Sequence, residues 1–376
     1  MKILLLPDSF KGTMSSIEVC QIIQSAFKKE TDDEIIAYPF GDGGENTLDC
    51  FEYVLKDSQK IKKRFTSPYS EKKESGYLVK GNTAIIESAK VIGLQQENKR
   101  NPLIASTYGL GEMIKDALDH KVSSIIITLG GSCTNDGGAG MLCALGMKFY
   151  DSENKPFIPT GGTLAKIQNI DVSQLDKRLE HCRFTLLSDV NNPLLGNNGA
   201  SYVFARQKGA DNAEIPVLEE NMKAYSEKIQ SLTHKDIVQN PGMGAAGGLS
   251  FAFASFFDYE ICSGAKKILE LYKIEEKIDG IDLIITGEGR TDISSFDGKC
   301  IQIVSSLAKR HAVKVLLISG YIEKDVIPKL KENGIEEYIS IQENKDKEFT
   351  EIRKHAKEDL YDAVVKYIRD KKACSI

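Results

Sequence analysis

Short apolar runs recur along this 376-residue chain at positions 3–6, 35–38, 125–129, 283–286, 315–319 and 338–341. Each is flanked by Gly or Pro and followed by a longer stretch of helical periodicity, the pattern of strands buried between helices in parallel α/β units. Two other stretches alternate instead. The Lys-rich segment 64–81 and the short segment 201–205 predict antiparallel strands.

Helix starts are legible as well. Ser15 and Glu18 stand three apart as a capping box, and Ile22, Ile23 and Phe27 then supply an apolar face. A second helix is expected from near Asn46, a solvated amphipathic helix over 211–236, and helical runs over 142–145 and 249–257. Residues 343–347 predict an exposed turn before a C-terminal helix ending near Lys372. These elements describe an α/β protein of two domains. The first is discontinuous, from 1–63 and 265–376, and carries a parallel sheet; the second, 64–264, is inserted and has a mixed sheet, with the site expected in the cleft between them.

Composition narrows the function. Hydrophobic residues make up 41% and charged residues 27% of the chain, an ordinary globular balance. With 49 Lys and Arg against 54 Asp and Glu, the net charge of −5 argues against a broad nucleic-acid footprint and favours small-molecule chemistry. The first apolar run ends at Pro7, too short for a secretory or membrane-spanning segment. The eight cysteines form no C-x-x-C pair, which suits reduced thiols in the cytoplasm, and no His stands near Cys133 or Cys300 to activate a nucleophile.

Candidate chemistry gathers where strands end. In Gly130-Gly131-Ser132-Cys133-Thr134-Asn135-Asp136-Gly137-Gly138, glycines allow close backbone approach to an anion, Ser132, Thr134 and Asn135 add donors, and Asp136 can hold a metal through water. A tight turn needing glycine for geometry alone is the alternative. The stretch is neither a Walker A loop nor a dinucleotide fingerprint. Asp8, Ser9 and Lys11 follow the first strand; Lys11 suits a phosphate or carboxylate, and Asp8 suits Mg²⁺ or the orientation of Lys11. An exposed surface loop is the other reading there.

Asp42 sits in an acidic, glycine-rich turn opening a helix and is a metal candidate. Asp189 follows an apolar stretch and can accept a proton from a substrate hydroxyl or bind Mg²⁺, with Asn191 as a neutral oxygen partner; an Asx turn closed by Pro193 fits equally. Small residues at 245–248 fit close packing or anion binding alike. Finally, Glu288 and Asp292 can hold Mg²⁺ while Arg290 and Lys299 stabilise a transferred phosphoryl group, with an internal salt-bridge network as the alternative.

In order, Pro7-Asp8-Ser9-Phe10-Lys11-Gly12, Asp42-Gly43-Gly44-Glu45, Glu87-Ser88-Ala89, Thr107-Tyr108-Gly109-Leu110-Gly111, the 130–138 turn, Ser188-Asp189-Val190-Asn191-Asn192-Pro193, Gln207-Lys208-Gly209-Ala210, Gly244-Ala245-Ala246-Gly247-Gly248 and Thr286-Gly287-Glu288-Gly289-Arg290 resemble the bacterial glycerate kinase family of the 2-kinase type across nearly the whole chain. The resemblance implies a flavodoxin-like domain paired with a second α/β domain. It implies ATP- and Mg²⁺-dependent phosphorylation of D-glycerate, most simply to 2-phosphoglycerate. Asp189 is then the candidate to orient or deprotonate the hydroxyl, Lys11 and Arg290 to neutralise charge, and Asp42, Glu288 and Asp292 to compete for the metal. Gly41, Asn46, Ser294 and Ile301 depart from the expected Ala, Gly, Gln and Pro, which leaves open a kinase for another small hydroxy acid or polyol. A non-catalytic anion-binding relative is the third reading.

Overall fold

In the computed structural model, which describes residues 1–41, 43–96, 100–296, 298–342 and 348–374, the apolar runs become strands. In chain order these are β1 (Lys2–Pro7), β2 (Glu34–Ala37), β3 (Gln59–Thr66), β4 (Lys72–Lys80), β5 (Thr83–Glu87), β6 (Ser124–Thr128) and β7 (Lys148–Tyr150). They continue with β8 (Pro156–Phe157), β9 (Asn169–Asp171), β10 (Arg183–Leu187), β11 (Asp258–Cys262), β12 (Leu283–Thr291), β13 (Lys314–Ile322) and β14 (Glu337–Ser340). The chain divides into two compact units, one of Met1–Asp42, Asp49–Val54 and Ser263–Ile376, the other of Gly43–Leu48 and Leu55–Cys262.

In the first unit five strands lie in the order β2-β1-β12-β13-β14, every pair parallel. Ile3, Leu4, Leu5 and Leu6 are all buried, as a central strand covered on both faces requires. Ile3 and Leu5 pack with Val19, Ile23 and Phe27 of the helix Ser16–Glu30 and with Leu360 and Val364 of the helix Phe349–Cys374. The first of these helices starts at the expected capping box: the Ser15 N–H donates to Glu18 Oε2 at 2.8 Å, and the Glu18 N–H to Ser15 Oγ at 3.3 Å. Strand order reverses between β1 and β12, so their carboxyl ends border the crevice where open α/β sheets bind ligands.

The second unit holds a six-stranded mixed sheet, β11-β10-β6-β5-β4-β3, in which β4 pairs antiparallel with both β3 and β5 and the other pairs are parallel. A small antiparallel sheet, β8-β7-β9, flanks it. A parallel sheet in one unit and a mixed sheet in the other make the α/β class expected.

One expectation fails. Residues 201–204 belong to the helix Ala200–Phe204 and Ala205 caps it; the Val203 N–H donates to the Gly199 carbonyl and the Ala205 N–H to the Ser201 carbonyl. Five residues are too few to tell a period of 2 from one of 3.6. The turn expected at 343–347 lies outside the described residues. Asn46, standing where the resemblance expects Gly, has φ 66°, a left-handed conformation that Asn tolerates better than most residues.

Candidate active site

At the end of β1, Asp8 donates its N–H to the Gly287 carbonyl at 2.8 Å, tying the chain to β12. The next residues fold into a tight turn, with Phe10 and Met14 exchanging backbone hydrogen bonds and Gly12 at φ 83°, which leaves Lys11 exposed. Asp8 is 6% exposed; its Oδ1 accepts from the Ser9 N–H, and its Oδ2 receives the Cys300 thiol at 3.7 Å, at the start of the helix Cys300–Arg310.

β12 runs beyond its expected end, so Glu288 and Arg290 lie in strand rather than in a loop. Glycine permits this: a Cβ on Gly287 would meet the Ile318 carbonyl at 2.0 Å, and one on Gly289 would meet the Lys11 nitrogen at 3.2 Å. Asp8, Ser9, Lys11, Glu288, Arg290, Asp292 and Lys299 thereby line one cavity of about 550 Å³ within the first unit.

Its charges are arranged in detail. Glu288 Oε1 is buried without a hydrogen-bond partner, and burial pushes this carboxyl up from its ordinary range, against the Ser295 and Thr291 hydroxyls and nearby Lys299. Asp292 is held below the usual range, first by the Ser294 hydroxyl and then by Lys299 and Arg290. Ser294 donates its N–H to Asp292 Oδ1 at 2.9 Å and its hydroxyl to the same oxygen at 2.7 Å, and Lys299 Nζ donates to Ser294 Oγ at 2.8 Å. Ser294, one of the departures, thus links an acid to an amine. Arg290 donates to Glu323, at the end of β13. Ile301 falls in the first turn of its helix, where Pro and other residues are both tolerated.

The second unit treats its candidates differently. Thr134, Asn135 and Asp136 have no exposed surface. Asp136 accepts from the Thr107 N–H and hydroxyl, each at 2.8 Å, and from the N–H groups of Gly138 and Gly140. With both oxygens committed, it pins the turn rather than offering lone pairs to a metal, contrary to expectation. Thr134 and Asn135 are buried too, but not saturated: the Asn135 amide donates to Ser201 Oγ at 3.2 Å, while Thr134 Oγ1 and Asn135 Oδ1 have no hydrogen-bond partner. Ser132 is 4% exposed, while Gly130 and Gly131 are half-buried. Asp189 and Asn191 are exposed just past the carboxyl end of β10. Asp42 lies outside the described residues.

Sequence reasoning overlooked Lys208. It is 2% exposed, and burial pulls its amine down to about 8. The motif Gln207-Lys208-Gly209-Ala210 was visible, but nothing local says that a lysine turns inward. Glu323 was missed too, because its partner stands 33 residues away.

The profile of the Glycerate kinase family matches residues 3–371. The chain belongs to the glycerate kinase family. Its relatives include a glycerate kinase of Bacillus cereus, 40% identical over 91% of this chain and 90% of that protein, and the glycerate 2-kinase of Escherichia coli K12, 38% identical over the same shares. A solved structure assigned provisionally as glycerate kinase 2, from Salmonella typhimurium LT2, superposes with a TM-score of 0.84 at 33% identity, covering 100% of this chain and 99% of that one. As a member of the family the chain is a kinase, a phosphotransferase with an alcohol acceptor. No helix among the described residues is long and apolar enough to cross a membrane.

Glycerate kinase chemistry raises the question of a metal. Among the described residues no three His, Cys, Asp or Glu side chains converge on one point. Mg²⁺ does not need such a cage, since it is commonly held by one or two carboxylates with substrate phosphates completing its shell. The unpartnered Glu288 Oε1 beside the ionised Asp292 fits that requirement.

Proposed function

We propose that this chain phosphorylates D-glycerate in the cytoplasm, with ATP as donor and Mg²⁺ as cofactor, and releases 2-phosphoglycerate. The observation that carries the reading is the set of acids, guanidinium and amines lining one cavity at the switch point of the first unit's sheet, in a chain of the glycerate kinase family.

Phosphoryl transfer asks little covalent chemistry of a protein and much positioning and charge stabilisation. Lys11, Arg290 and Lys299 neutralise phosphate oxygens. Glu288 and Asp292 hold Mg²⁺, which when bound supplies charge compensation to the phosphates. Asp189, exposed past β10, orients the acceptor hydroxyl and takes its proton. Arg290 reaches phosphate by exchanging its ion pair with Glu323, an exposed pairing of small net strength.

The test is ADP release by the purified protein with MgATP across D-glycerate, L-glycerate, tartronate and glycerol. D-glycerate is expected to give the highest kcat/KM. Turnover on another acceptor alone moves the substrate, and ADP release on none overturns the reading. Asp189→Asn and Lys11→Met should each lower kcat by about 10²–10⁴-fold with melting unchanged.

A further inference from the structure

Lys208 is a cation in an awkward place. Its Nζ donates to Ser132 Oγ at 3.2 Å and to the Thr134 carbonyl at 2.6 Å, both neutral oxygens. The acidic groups that act on it electrostatically are the Cys133 thiol and then Asp136, whose oxygens are already held by Thr107, Gly138 and Gly140. Burying an ammonium without a paired anion costs several kcal/mol, about the scale of a domain's whole stability margin. A structural tie for the turn would need only a neutral donor.

The bond to Ser132 has a direction. An ammonium carries three donors and no acceptor, so the Ser132 hydroxyl must accept from Lys208 and turn its own proton elsewhere. Ser132 follows Gly130 and Gly131, the two half-buried members of the turn, and Gly131 has φ 76°. The turn's backbone bonds use the Gly131 carbonyl and the Cys133 N–H, leaving the N–H groups of Gly130, Gly131 and Ser132 out of that set. A carboxylate of the chain already rests here: Glu45 Oε1 lies 3.0 Å from the Cβ position of Gly131, while Gln95 donates to Glu45 Oε2. The turn therefore offers a hydroxyl proton and backbone donors, backed by a buried positive charge.

We propose that Lys208 is a positioning residue for the substrate: acting through Ser132, it makes the 130–132 turn a donor site for an oxyanion, the carboxylate of the hydroxy acid. This rests on the glycerate kinase reading above and adds a specificity determinant to it. The phosphates of the nucleotide are the other source of such an oxyanion, and the two separate in steady-state kinetics. Hydrogen bonds to charged groups contribute about 1.5–3 kcal/mol, so Lys208→Met should raise the KM for D-glycerate about 10- to 100-fold. The KM for ATP should move less than about twofold, since no contact to phosphate is lost. Ser132→Ala should show the same pattern. Because the two residues act in series, the double variant should be no worse than the poorer single one.

Stabilisation of the wild type against heat by D-glycerate alone, lost in Lys208→Met, reads binding without turnover. Wild-type stabilisation without ADP release would refute the kinase reading while leaving this one standing. An unchanged KM for D-glycerate in both single variants, a rise in the KM for ATP instead, or additive defects in the double variant would overturn the role of Lys208. If Lys208→Met does not fold, the Ser132→Ala kinetics and thermal shift decide alone.

Discussion

The two units use the same local signature, a strand running into glycines and acids, to opposite ends. In the first unit the glycines of β12 let β13 and the Lys11 turn approach closely, and the carboxylates of Glu288 and Asp292 are left lining a cavity. In the second the glycines of the 130–138 turn let other elements close over it: Tyr225 and Met222 crowd the Cβ position of Gly137, and Ala252 and Leu249 that of Gly138. Asp136 is consequently saturated with donors, whereas Glu288 keeps a buried oxygen without one. What separates the open cavity of the first unit from the packed 137–138 end of this turn is the layer laid on it, and that layer comes from distant sequence.

The widest difference should come from neutralising the two acids. Glu288→Gln is expected to lower kcat by about 10²–10³-fold in steady-state assays. Thermal melts should show stability unchanged or raised, because a desolvated carboxylate has been removed. Burial pushes the Asp136 carboxyl up as it does that of Glu288, but Asp136→Asn should do the reverse, costing about 1–3 kcal/mol in urea unfolding because the amide leaves buried donors of Thr107, Gly138 or Gly140 unpaired, while the Mg²⁺ dependence of turnover stays put. A metal-dependent change in Asp136→Asn would erase the contrast.

Glycine substitutions sharpen it further. Gly247 has φ 69°, and a Cβ there would strike the Thr134 carbonyl at 2.1 Å, so Gly247→Ala should cost about 2 kcal/mol or more. Gly298, at φ 78° with open space around its Cβ position, should cost only about 1 kcal/mol as Ala. Equal losses in unfolding would mean that packing over the turn is not what distinguishes the second unit.

The smallest effect concerns Glu18, whose carboxyl is lowered to about 2, first by Lys357 and then by the Ser15 N–H. A depressed folded value means that stability is present above the ordinary value of about 4.5 and lost as pH falls from there to about 2. Glu18→Gln should therefore destabilise the first unit near pH 7 by about 0.5 kcal/mol after solvent screening, and match the wild type near pH 2. A difference that persists in acid would assign the loss to the cap rather than to charge.

Much of this was legible beforehand, for physical reasons that name its limits. The runs at 3–6, 283–286 and 315–319 are buried on both faces, so they read as apolar without alternation, and β1, β12 and β13 stand there. The Ser15 and Glu18 cap is local and was readable outright. Lys11, Glu288 and Lys299 were visible as charged residues at strand ends, although their convergence on one cavity depends on strand order, which no window of sequence contains. The inward turn of Thr134, Asn135 and Lys208 was not legible, because it is imposed by helices more than a hundred residues further on or by packing that charge alone would forbid.

The most direct test of the central claim is ³¹P NMR of the wild-type protein turning over D-glycerate with MgATP. The account predicts a phosphomonoester on carbon 2 growing in step with ADP. ATP left intact, or hydrolysed to inorganic phosphate with no phosphoglycerate, would contradict it.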